Sequence, residues 1–282
     1  MKKILVPTDF SKTSITALET AFEIAKKAGG TIFVLHVVEE ATPDSYSITG
    51  EWRDDNWEDR LFTFKLLEKA KAQLEKLVMD PRFSDVKLVG ELRLGNPFHG
   101  MNTIIAEQKV DLVVMGTRGK TNLESMVIGT NTERVVRHSH CPILTVHKKP
   151  SSSDFKNIVY ATAMSKDEEI FSRIVKRTQQ LYDSTIHLVR INTPGDFQRD
   201  RVVKDYMNKF AKTLQFKNFT INVYNDVSEE EGILYFADSI DADLIAMATH
   251  GRTGFAHVLA GSIAEGVVSK AVRPVLTWVI KH

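Results

Sequence analysis

Cysteine is almost absent: Cys141 is the one example in 282 residues. That excludes an intrachain disulfide and makes a reducing, cytoplasmic setting the expectation. Long hydrophobic runs are missing too. No stretch approaches the ~18 consecutive apolar residues that a membrane span needs. The opening MKKILVPTDF carries Lys2 and Lys3, but its apolar run ends at Val6 and meets Pro7, Thr8 and Asp9. That run is too short for the core of a secretory leader, so none is expected. There is little excess charge of either sign. A net charge of +1 argues against a broad basic footprint for nucleic acid or a membrane surface. What is present, 43% hydrophobic and 26% charged residues, is ordinary for a globular chain. The length suits two domains, each able to bury a core.

Internal repetition sets the architecture. Val110–Val146 and Ala242–Trp278 align without a gap. They share Asp111/Asp243, Met115/Met247, Gly119/Gly251, Gly129/Gly261, Glu133/Glu265 and Pro142/Pro274. The starts match as well, KKILVPTDFSK from Lys2 and KNIVYATAMSK from Lys156. The second copy is shorter, mostly opposite Glu39–Asp59. The segment Lys148-Lys149-Pro150-Ser151-Ser152-Ser153 reads as a linker. Domains are expected over 1–149 and 154–282.

Each copy alternates short apolar runs with amphipathic stretches. Ile4-Leu5-Val6 reads as a buried strand. Ile15, Leu18, Phe22 and Ala25 then mark a helix, capped by Ser11 or Ser14 and ended by Gly29-Gly30. Thr31–Val38 is the second strand. A long helix is expected from about Asp55 to Met79, with Phe62, Leu66, Leu67, Ala70, Leu74 and Leu77 inward. Val86–Leu92, Asp111–Met115 and Ile143–Val146 read as strands, and Met101–Gln108 and Thr132–His138 as helices. Alternation of this kind gives an α/β fold of two doubly wound parallel sheets in tandem. Ligands in such sheets sit beyond the carboxyl ends of the strands, where strand order reverses.

Gly116, Gly119, Gly129 and Thr130 follow the fourth strand with spacing G-x2-G-x9-G-T. Glycines leaving a buried strand let backbone N–H groups approach an anion. Gly129 and Thr130 lead into a helix whose N-terminus offers unpaired donors, with hydroxyls at Thr130 and Thr132. The same glycines could instead serve only tight turns and close packing. Gly119-Lys120-Thr121 is not the end of a P-loop, because the required earlier glycine is Val114, inside a strand. Arg118 and Lys120 are loop cations, either beside phosphates or in solvent.

The glycine spacing, the VPTDFS start and the ERVVRHSHCPILTV ending together resemble the universal stress protein family, twice over the chain. The resemblance implies a Rossmann-like fold of the adenine nucleotide alpha hydrolase-like type. It also implies a nucleotide site in the first copy. Asp9, with Pro7 and Thr8 beside it, would face the adenine–ribose end, and Val37 and Val38 would wall the base. Met115, Gly116 and Gly119 would follow, with Gly129, Thr130 and Thr132 holding the phosphates. Asn131 departs from the aliphatic residue common in the family. In the second copy Asp9 becomes Ala163, Pro7 becomes Ala161, Gly116 becomes Ala248, Thr132 becomes Ala264 and Gly95 becomes Val227, while Gly251, Gly261 and Ser262 remain. That copy is expected to bind ATP weakly or not at all, and at most an anion.

The expected ligand is ATP, or AMP or ADP, with magnesium as the accompanying ion. The leading function is a cytoplasmic stress-response module that binds nucleotide and regulates. A slow ATPase or nucleotide-transfer enzyme and a nucleotide-independent scaffold are the alternatives. No catalytic residue is assigned. The terminal strands Ile143–Val146 and Val275–Val279 are expected to pair as an intrachain pseudo-dimer, with homodimerisation open. His138 and His140 near Cys141 read as basic residues at a helix end rather than metal ligands. Asp9 is also a possible helix cap. The acidic, tryptophan-bearing segment Glu51–Asp59 reads equally as surface loop or contact site.

Overall fold

A computed structural model describes residues 1–39, 57–117, 129–139, 141–150, 154–250 and 258–280. In the first half β1 (Lys3–Pro7), α1 (Lys12–Ala28), β2 (Thr31–Val38), α2 (Trp57–Val78) and β3 (Lys87–Leu94) are followed by α3 (Pro97–Gln108), β4 (Leu112–Gly116), α4 (Thr130–His138) and β5 (Ile143–Val146). The second half repeats the order with β6 (Asn157–Ala161), α5 (Glu169–Tyr182), β7 (Thr185–Asn192), α6 (Asp200–Leu214), β8 (Phe219–Asn225), α7 (Glu229–Ser239), β9 (Leu244–His250), α8 (Val258–Lys270) and β10 (Val275–Ile280).

The strands form one ten-stranded sheet in the order β3-β2-β1-β4-β5-β10-β9-β6-β7-β8. Every pairing is parallel except β5 with β10, which run antiparallel with Leu276 opposite Leu144. In each half, strand order reverses beside the first strand, between β1 and β4 and between β6 and β9. Helices cover both faces, so the central strands are buried and read as continuous apolar runs. One core cluster carries Val6, Leu18, Val34 and Leu144 together with Leu276, Tyr160 and Phe171, and so runs through both halves. A second, in the first half, packs Leu5, Leu35, Met101, Val113, Met115 and Val136 on the other face.

The repeated aspartates have a structural task. Asp111 Oδ2 accepts the backbone N–H groups of Lys2 (2.7 Å) and Lys3 (3.0 Å), which pins the start of β1 beside β4. Asp243 does the same for Lys156 (2.9 Å) and Asn157 (2.8 Å). Ser11 is the N-cap of α1, accepting from Ser14 N, and Gly29 closes the helix in the left-handed region at φ 62°.

The long helix departs from its expected packing. Ala70, Leu74 and Leu77 are buried, but Phe62 and Leu66 are exposed. They lie in the N-terminal half, whereas Leu74 and Leu77 in the C-terminal half belong to the core cluster and Val78 packs against it. α3 and α4 each begin earlier than expected, at Pro97 and Thr130. Residues 40–56, which hold most of the tryptophan segment, lie outside the described residues, as do 118–128, 140 and 251–257. Trp57 itself is exposed.

Candidate nucleotide site in the first domain

A cavity of about 560 Å³ opens at the carboxyl ends of β1, β2 and β4. It falls within the range of small-molecule sites. Pro7, Thr8 and Asp9 line it from the end of β1, Leu35, His36, Val37 and Glu39 from β2 and just beyond it, and Met115 and Gly116 from β4. Gly129, Thr130, Asn131 and Thr132 line it from the start of α4. The structure thus brings together nearly all the residues singled out from sequence. Val38 is not among the lining residues; it is buried and its carbonyl accepts the Gly95 N–H at 2.9 Å. Gly119, Arg118 and Lys120 lie outside the described residues.

The turn after β1 is built by short polar side chains. Thr8 Oγ1 accepts the Phe10 N–H at 3.0 Å and lies 3.0 Å from Ser14 Oγ. Asp9 Oδ1 accepts the Ser11 N–H at 2.9 Å. This Asx turn lets Phe10 adopt φ 61°, unusual for a bulky residue. Asp9 therefore shapes the turn and lines the cavity, while the N-cap of α1 is Ser11 rather than Asp9. The His36 ring packs 4.5 Å from that of Phe10, and its Nδ1 sits 2.7 Å from Thr8 O. A carbonyl can only accept, so Nδ1 carries the proton in that bond.

At the opposite end, Gly129 is the N-cap of α4, and no side chain caps the helix. The first-turn N–H groups of an α-helix have no intrahelical acceptor. Here they are presented, with a positive dipole end, to a cavity rather than to a capping carboxylate. Two details differ from the sequence expectation. Thr132 Oγ1 donates to Gly116 O at 2.9 Å, so its proton is used within the protein. A Cβ on Gly116 would lie 2.7 Å from Thr13 Cγ2 and 3.1 Å from Thr13 backbone atoms. Gly116 is thus required by the close approach of α1, which is the packing reading of that glycine.

Sequence reasoning passed over Ser14, Leu35, His36, Glu39, Pro97 and Met101 in the lining. Ser14 was legible as a first-turn polar residue, and Met101 as an apolar residue one turn into α3. His36 and Glu39 carry no motif. Among the described residues no group of His, Cys, Asp or Glu is arranged to hold a metal ion. His138 instead packs near Phe98.

The second half differs at both ends of the equivalent cleft. Met164 repeats the positive φ of Phe10, at 60°. Ala163 cannot cap the turn, and Glu168 does so instead. Its Oε1 accepts Ala163 N (3.1 Å) and Ser165 N (3.2 Å), and its Oε2 accepts Tyr160 Oη (2.8 Å) and Thr162 Oγ1 (2.7 Å). These four donors match the acceptor capacity of a carboxylate, leaving none for a ligand. α8 begins at Val258, so the positions of Gly129 and Thr130, Gly261 and Ser262, lie inside the helix. The helix start is thereby a turn away from its place in the first half.

Tandem doubly wound domains sharing one sheet, with a cleft at the first reversal of strand order, define a Rossmann-like α/β protein rather than a barrel. The chain belongs to the universal stress protein family, whose family model matches residues 1–147 and again 154–278. Among curated relatives, the universal stress protein MJ0531 of Methanocaldococcus jannaschii is 36% identical over 149 residues, covering 53% of this chain and 83% of that protein. Slr1230 of Synechocystis is similar over the full length, 25% identical across 99% of this chain and 100% of its own. Among solved structures, a universal stress protein from Archaeoglobus fulgidus superposes with a TM-score of 0.75 at 20% identity, covering 99% of this chain and 96% of that one. No helix among the described residues is long and apolar enough to cross a membrane.

Proposed function

We propose that the first domain binds an adenine nucleotide, ATP foremost, and acts as a regulatory module in a cytoplasmic stress response. The observation that carries this reading is the uncapped start of α4 opening into the same cavity as Asp9. One end suits phosphates and the other a hydroxyl-bearing nucleoside; Val37, Met101 and Met115 supply apolar surface between them. The residues present fit the nucleotide. A magnesium ion would be carried on its phosphates, since the lining carboxylates Asp9 and Glu39 belong to no metal-binding cluster. Binding would stabilise the conformation that holds the ligand by mass action, which links the protein's state to nucleotide supply. The free, buried Cys141 suits a reducing compartment.

The test is mass spectrometry of nucleotide released by denaturing freshly purified protein, with calorimetric titration of ATP. One site per chain is expected. Asp9→Ala is expected to weaken binding by about ten- to a hundredfold, the equivalent of a lost charged hydrogen bond of roughly 1.5–3 kcal/mol. The absence of both copurified nucleotide and measurable ATP binding would overturn the proposal.

A further inference from the structure

Arg190 lies near the carboxyl end of β7, one residue beyond the Ala161–Val189 pairing. The same register position in the first domain, one beyond Pro7–Leu35, is His36, which lines the cavity there. Arg190 is only 8% exposed. Its Nη2 donates to Asp196 Oδ2 at 2.5 Å, while its buried Nε has no acceptor. Asp196 reaches it from the loop after β7, with a side chain 56% exposed.

That loop does not depend on the ion pair for its shape. Asn192, 2% exposed, donates from Nδ2 to Gln198 O (3.0 Å) and accepts Gln198 N on Oδ1 (3.3 Å). Asp196 N bonds Thr193 O at 3.1 Å within the turn. Asp196 can therefore swing away while Asn192 holds the base of the loop.

A guanidinium taken out of water is costly, and a single half-exposed carboxylate compensates it poorly. An unsatisfied N–H on the same group adds to the cost. The planar fork of arginine is matched to an oxyanion that can bond Nε and Nη2 together. Asp196 engages only Nη2. The position, two residues before the carboxyl end of a parallel strand, lies beside the crevice where sheets of this kind hold ligands.

We propose that Arg190 anchors an oxyanion site in the second domain, with Asp196 as its internal surrogate ligand. A phosphate or carboxylate group on the true ligand displaces Asp196 and bonds both Nε and Nη2. This site is independent of the first-domain cavity and of the helix start used there.

The test uses the full chain and follows the Arg190 Nε–H signal by NMR during titration with inorganic phosphate, acetate or chloride at matched ionic strength. Asp196→Asn, which touches only an exposed side chain, is expected to raise affinity for phosphate or acetate about tenfold over the unaltered protein. The Nε–H signal should move on binding. A response to phosphate alone names a phosphate-bearing ligand, and one to acetate alone a carboxylate. Adding Arg190→Gln to Asp196→Asn should abolish the response, with circular dichroism checking the fold. An unmoved Nε–H signal in Asp196→Asn, or equal responses to chloride and the oxyanions, would overturn the proposal. ATP titration of the first domain is a separate measurement and is expected to be unchanged in Asp196→Asn.

Discussion

Glu168 is a carboxylate buried to 2% exposure that receives two hydroxyls and two backbone N–H groups. Burial and the neighbouring Glu168 charge push the Tyr160 phenol well above its ordinary pKa, so Tyr160 remains a donor. Replacing Glu168 by Gln would set an amide NH2 against two donors that had an acceptor. A loss of about 3 kcal/mol is expected, measured by denaturant unfolding, with no change in first-domain ATP affinity. Cys141 shows the same physics. Desolvation raises its thiol pKa to about 12. The folded state holds a proton that the unfolded thiol loses near pH 8.5, so stability is full below that pH and falls as pH rises towards 12. Between pH 8.5 and 10 the unaltered protein is expected to lose about 2 kcal/mol more than Cys141→Ala. At pH 8 thiol reagents should label Cys141 only after denaturation.

At the scale of elements, α3 begins on Asn96, whose Oδ1 accepts Phe98 N (3.0 Å) and His99 N (3.2 Å). Asn96→Ala should cost about 1 kcal/mol in thermal unfolding. It should also weaken ATP binding slightly, because Pro97 and Met101 ride on that helix into the cavity. The strands and most helices of the first half were legible in the sequence, because the buried runs and helical spacing are strong. The cavity's glycines were legible through their spacing, and Asp9 through the resemblance of the VPTDFS start to the family. What escaped was set by distant contacts. The tight fit of Gly116 against Thr13 is invisible until α1 is docked. The early start of α8 was hidden by a gap-free alignment, although Leu259-Ala260 favour helix more than Val127-Ile128 do. Glu168 takes over the capping task of Asp9 from five positions beyond Ala163, so a position-by-position comparison recorded only a loss.

For the whole molecule, contacts between the halves go beyond β5–β10. Arg137 on α4 forms a bidentate ion pair with Glu265 on α8 and also meets Glu133 at 3.0 Å. Lys27 pairs with Asp154 and lies 4.7 Å from the Tyr182 ring centroid. The position of Arg137 in the second half is Ser269, so the Arg137–Glu265 pair has no mirror image. Arg137→Glu and Glu265→Arg should each lower the melting temperature, and the double variant should recover most of the loss. A double-mutant cycle is expected to give a coupling of about 1–3 kcal/mol. Joining β5 to β10 has one further consequence. It consumes the inner strand edges of both domains, so among the described strands only β3 and β8 present unpaired backbone to solvent. β3 carries Lys87, Glu91 and Arg93 along its length, while β8 carries no charge. Charged side chains are what discourage another chain from adding a strand. Aggregation seeded by strand addition should therefore begin at the β8 end of the molecule.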